Sequence, residues 1–144
     1  MEPAGGAPVA TPSNAGGPPT QVEDSYISKT CGFPVLVQAS GKIKEIPLPG
    51  GRTKVLFPAF SATLTNLDTE RQLKLSITGS FHITALPSGS TEIVYTCRNT
   101  YDDPVAGRFL LLIGYFREVF DPDFNILEPL GGRGQMVDLC EALA

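Results

Sequence analysis

The chain predicts an all-β domain: an antiparallel meander of about eight strands, forming a small barrel or a two-sheet sandwich. Three observations carry this. Residues 33 to 120 switch between apolar and polar at every second position, the period of a half-buried strand. Clusters of Gly, Pro, Asn and Asp separate the runs. The connections between them are too short for crossover helices.

The elements follow in order. Residues 1 to 22 are mostly Pro, Gly and Ala without periodicity, so residues 1–24 are expected to form a disordered tail or stalk and 25–144 a single all-β domain. Phe33 to Gln38 reads as a strand, Ser40-Gly41 as a turn, and Lys42 to Leu48 as a strand ended by Pro49-Gly50-Gly51. Arg52 to Phe57 follows, with Pro58 breaking or bending it. Phe60, Ala62 and Leu64 then share one face, and Asn66 to Glu70 is a polar turn.

Leu73, Leu75 and Ile77 keep a phase that carries through Gly79 into Phe81, Ile83 and Ala85, so one long strand with a glycine bend is expected. Pro87 to Ser90 is a hairpin turn, and Thr91 to Asn99 returns. Asp102-Asp103-Pro104 reads as a loop cap with Arg98 and Arg108 near it. Arg108 to Phe120 is apolar on both faces and should be the most buried strand. Asp121-Pro122-Asp123 is a tight turn, then comes Ile126 to Leu130. Gly131-Gly132-Arg133-Gly134 reads as a bulged turn before Gln135 to Leu143, a last strand or short terminal helix.

Composition excludes several functions. With 11 Lys and Arg scattered along the chain and a formal net charge of −4, no phosphate-binding surface is concentrated, which argues against nucleic acid. No run approaches the roughly 18 apolar residues of a membrane helix. Met1 leads into Glu-Pro-Ala-Gly-Gly, without the basic and apolar regions of an export signal. Two readings stay open: a cytoplasmic or virion protein, or the mature form of a secreted protein whose signal was replaced by a start Met.

Three cysteines bear on that choice. Cys31 opens the ordered domain and Cys140 lies four residues from its end. In a closed meander the first and last strands are neighbours, so the two could meet and close a loop of about 110 residues, worth roughly 4 to 5 kcal/mol by the chain-entropy model. The alternative is two separate buried thiols. A disulfide would place the protein in an oxidising compartment. Cys97 shares phase with Ile93 and Tyr95 and is expected as a small buried hydrophobe, a reactive free thiol being the sharper alternative.

His82, the only histidine, shares the polar face of its strand with Ser80 and Thr84. If that face lined a barrel interior, His82 could act as a general base. A Cys97–His82 dyad is opposed by their opposite phases. Asp121-Pro122-Asp123-Phe124-Asn125 opens like a calcium loop, but Ile126 stands where that loop needs Gly and Gly132 where it needs an acid, so it reads as a turn. Gly131 to Gly134 lacks the spacing of a phosphate loop. No metal site and no cofactor is expected.

A resemblance rests on Cys31-Gly32-Phe33-Pro34-Val35, Pro49-Gly50-Gly51-Arg52, Thr78-Gly79-Ser80-Phe81-His82, Leu86-Pro87-Ser88-Gly89 and Asp138-Leu139-Cys140, with Arg98-Asn99 and Glu128-Pro129-Leu130 between them. Through these, residues 31 to 144 resemble a group of uncharacterised secreted actinobacterial β-domain proteins. The resemblance implies fold and export and no reaction. In that group the outer cysteines recur and the position of Cys97 is usually Gly. A looser, fold-level likeness is to dirigent and allene oxide cyclase barrels.

The reading is a secreted, non-enzymatic binding or surface-interaction domain whose partner is a protein or small hydrophobic ligand. One alternative is a calyx for a small hydrophobic molecule, with isomerase-type chemistry at His82 or Tyr95. Another is a structural or decoration protein of a phage or cell surface.

Overall fold

The structure, a computed structural model, describes residues 17–144. Residues 1–16 of the expected tail lie outside the described residues. The chain is an antiparallel meander of eight strands: β1 (Thr20–Ser28), β2 (Val35–Leu48), β3 (Arg52–Asn66), β4 (Gln72–Ser76), β5 (Ser80–Ala85), β6 (Thr91–Asp103), β7 (Arg108–Phe120) and β8 (Ile126–Asp138). One short helix, α1 (Leu139–Leu143), ends it. All eight strands belong to one sheet in the order β1-β2-β3-β5-β6-β7-β8, with β4 also on β3. Among the described residues β1 pairs only with β2 and β8 only with β7, so the first and last strands do not pair with each other.

The sheet nevertheless encloses one core, because it forks and rolls. Strand β3 pairs with β5 through Arg52 to Leu56 and with β4 through Ser61 to Thr65. Between them Ile77 N–H donates to Phe60 O and Phe57 N–H to Gly79 O. The expected single long strand is corrected: it is two strands, β4 and β5, interrupted over residues 77–79, though both run along β3. Past the break β4 stays on β3, while β6 beyond Thr96 pairs only with β7. Gly79 is required at the fork: a Cβ there would stand 2.3 Å from Arg98 O and 2.6 Å from Thr96 O. Rolling brings β1 to β6, where Tyr26 Oη donates to Asp102 Oδ2 at 3.0 Å. Helix α1, capped by Asp138, packs against β7, β3 and β4 with Leu139 and Leu143 fully buried. Asn66 Nδ2 donates to Leu143 O at 2.8 Å and pins it there.

The alternation placed the core well. Phe60, Ala62, Leu64, Leu75, Ile77 and Phe81 are buried together. Strand β7 is buried on both faces at Phe109 to Leu112, as its continuous apolar run demands.

Three further expectations on elements are corrected. The tail ends earlier than residue 24: Thr20 to Asp24 belong to β1, where Val22 pairs with Gly41 and is buried. Ser40-Gly41 is no turn, since β2 runs through it and Gly41 meets β3 too closely for a side chain, with a Cβ 2.0 Å from Ala59 O. Gly131 to Gly134 is no turn either. It lies within β8, Gly132 opposite Phe116 and Gly134 opposite Gly114. The local composition of each segment mimics a break, and backbone partners on a neighbouring strand override it. Of the two readings for the end of the chain, both are realised: strand to Asp138, then helix.

Candidate functional site: an exposed edge strand

The expected staple exists. Cys31 and Cys140 form a disulfide with Cα atoms 5.1 Å apart. The route to it differs from the expectation, since β1 and β8 are not neighbours. Cys31 sits in the β1–β2 connection and Cys140 in α1, so the bond ties a turn to the helix that plugs the fork.

Cys97 is a free thiol and exposed, which corrects its expected burial. It pairs with Gly114, at the position where β6 has just left β5, and its φ is +66°. The alternation that predicted burial fails at this bend. Cys97 borders an apolar hollow of about 170 Å³ with Leu56, Phe57, Pro58 and Gly79. His82 is elsewhere: it stands between Lys54 and Val94 in the sheet. Burial first, then the charges of Lys54 and Arg52, lower its pKa. The structure brings no dyad together.

Tyr95, the other weak candidate, lies in the core at 1% exposure. Its ring packs between Phe81 and Tyr101, and its hydroxyl donates to Glu118 Oε2 at 2.5 Å. Tyr101 donates to the other oxygen, Oε1, at 2.6 Å. Glu118 is fully buried. Burial raises its pKa, the two tyrosine hydrogen bonds oppose that rise, and Asp103 adds to it while Arg108 subtracts. Asp103, itself buried, faces Arg108 at 3.8 Å, and the Arg108 guanidinium lies 6.0 Å from the Tyr101 ring centre. Sequence reasoning missed this cluster because Glu118 sits in a mostly apolar run. Its in-phase position with Phe116 and Phe120 was the available signal.

Asp102 and Asp103 end β6 rather than opening a solvated loop. Asp102 accepts from Tyr26 and Thr30, joining β1 to β6. Asp103 does cap the following turn, accepting from Ala106 N–H at 3.1 Å. Arg98 donates to Ser76 O across the fork instead of pairing with an acid. Asp121 is the expected turn former: its Oδ1 accepts from Asp123 and Asn125 N–H, and the latter bond leads in lowering its pKa. A cleft of about 680 Å³ crosses β1 to β3, lined by residues such as Glu23, Ser25, Gln38, Ser40 and Thr63, with no cysteine, histidine or cation. Among the described residues no group of three or more His, Cys, Asp or Glu could hold a metal.

The feature that remains is β8. Every residue of this 13-residue strand is exposed except half-buried Leu130. It pairs only with β7, so its outer edge has no neighbouring strand among the described residues. Edge strands are ordinarily shortened, charged or bulged to deter pairing. The first part of β8 follows that rule: its register on β7 shifts between Val119 and Arg117, Pro129 lies there, and Glu128 is held by Arg117 at 2.6 Å. Residues Gly131 to Asp138 do not, since they run in unbroken register. Met136 and Val137 are large apolar side chains exposed on that run, with Tyr115 beside it opposite Arg133.

Compared with protein-family models, curated proteins and solved structures, the chain matches none.

Proposed function

We propose that this protein is an exported, non-enzymatic interaction module that takes its partner by strand addition along β8. The observation that carries the reading is the unbroken, exposed run Gly131–Asp138, with Met136 and Val137 exposed on it and no strand on its outer edge among the described residues. Strand addition draws affinity from main-chain hydrogen bonds and specificity from alternate side chains. Export is supported by the Cys31–Cys140 disulfide, a bond that persists in oxidising compartments. The resemblance to secreted actinobacterial β-domains supports it as well. The absence of catalysis is supported by the engagement of Tyr95 in a packed cluster and by the separation of His82 from Cys97.

The test is a photoreactive side chain at Met136, with the same group at exposed Lys74 on β4 as control. Irradiated in the medium of the secreting cell, the Met136 protein should give a covalent protein adduct and the Lys74 protein none. No adduct from Met136, or robust turnover of a small substrate by the purified chain, would overturn the reading.

A further inference from the structure

The cations are scattered along the chain, yet strand register gathers five of the 11 Lys and Arg on one face of the sheet. In the central row Lys54 on β3 stands opposite His82 on β5, and Arg117 on β7 closes the row beyond Val94. The row to one side has Lys44 at its β2 end and Arg133 at its β8 end. The row to the other side holds Arg52, with Glu92 and Glu128 further along it. Strands lie about 4.8 Å apart and successive residues of one face about 7 Å, so Lys54, His82 and Arg52 are near neighbours. This is the solvent side of the sheet, because Val55, Phe81, Tyr95 and Phe116 alternate with these residues and are buried.

Two of the chain's 15 acids lie on these rows, Glu92 and Glu128, and Arg117 bonds both. The other four cations have no acid partner among the described residues. Arg52 donates to Pro49 O and Lys44 to Gly17 O, neutral carbonyls that leave both charges uncompensated. After burial, the charges of Lys54 and Arg52 are what lower the pKa of His82, so their fields reach its ring. The chain as a whole carries −4, and on this face the sign is reversed. A surface with an excess of one charge concentrates counter-charged ligands on itself.

Shape and chemistry select among anions. The face is the outside of a rolled sheet and therefore convex: a planar bilayer touches it along one line, whereas a flexible chain can follow a row across the strands. Single-stranded nucleic acid needs aromatic platforms for its bases, and these rows hold one Phe, Tyr or Trp, namely Tyr115. Between the cations stand the hydroxyls of Ser80, Thr84 and Thr96, which both donate and accept as sugar hydroxyls require. We propose that this face binds a linear acidic polysaccharide, whose carboxylates or sulfates pair with Lys54, Arg52 and Arg133. The contact lies on the face of the sheet and not on the edge of β8, so it stands apart from strand addition.

Titration of the full, disulfide-bonded, isotope-labelled chain with a heparin octasaccharide, followed by amide NMR shifts, tests it. Shifts should appear at Arg52, Lys54, His82 and Arg133 and not at Lys29 or Lys74, and a neutral dextran of equal length should give none. Affinity should fall steeply with added salt, because binding releases counterions. Lys54→Glu combined with Arg133→Glu should weaken binding at least about 10-fold. Lys29→Glu combined with Lys74→Glu makes the same change in net charge at exposed positions elsewhere and should weaken it less than about 3-fold. If either double variant fails to fold, the shift map of the wild type decides alone. No shifts with heparin at low salt, shifts centred on another surface, or equal losses from the two double variants would each overturn the proposal. Tighter binding to phosphatidylserine vesicles or to a poly-glutamate peptide would overturn it in favour of a lipid surface or an acidic protein.

Discussion

Burying an acid beside two tyrosines makes Glu118 a pH-dependent element of the core. Its folded pKa is raised above the ordinary carboxylate value of 4.5, so the folded chain holds its proton more tightly than the unfolded chain does. The stability this lends is therefore complete below that value and is lost as pH rises through the raised folded pKa. Wild type should lose melting temperature relative to Glu118→Gln as pH climbs from about 4 to about 8, and parallel curves would remove the account. Cys97 is a second residue-scale case. A side chain at φ +66° is strained, and glycine is not. Cys97→Gly should raise unfolding free energy by about 1 kcal/mol in denaturant titrations, whereas Cys97→Val should lower it. The sequence shows Cys97 in phase with buried residues but not the bend that exposes it. That bend exists only where β5 ends and β6 crosses to β7 alone.

Strand β1 depends on a polar tie rather than on apolar burial. It is an edge, with Val22 and Ser28 its only buried residues, and Tyr26 and the following Thr30 both bond Asp102 on β6. Asp102→Ala leaves both hydroxyls without that acceptor and should cost about 2 kcal/mol. Hydrogen exchange should then show β1 amides opening before those of β7, which is shielded on both faces; uniform opening would contradict it. Strand β6 and both halves of β3 are legible from alternation, and β7 from its continuous apolar run, while the continuity of β3 through Pro58 is not. Strand β1 was hidden by the Pro- and Gly-rich segment preceding it. Gly131 to Gly134 of β8 read locally as a turn, although Gly132 and Gly134 serve close approach to β7 rather than chain reversal.

For the whole molecule, one covalent bond holds the fork shut. The Cys31–Cys140 bond spans 109 residues, and the chain-entropy model assigns such a loop roughly 4 to 5 kcal/mol, a large part of a small domain's stability. Replacing both cysteines with serine should lower the unfolding free energy by a comparable amount, measured by urea titration. It should also loosen α1 first, visible as faster exchange at Leu139 to Leu143. A loss below about 1 kcal/mol would mean that helix packing alone closes the fork.

The sequence by itself determined the all-β class and most of the core face. These follow from local periodicity and turn chemistry, which the order of residues carries directly. Only the tertiary structure decided that the first and last strands do not pair with each other, that the sheet forks at Gly79 under a helical plug, that Glu118 sits between two tyrosines, and that β8 is an exposed edge. Those depend on which strands lack a neighbour and where the sheet rolls back on itself. Pairings between residues distant in the chain set both, and no local pattern records them.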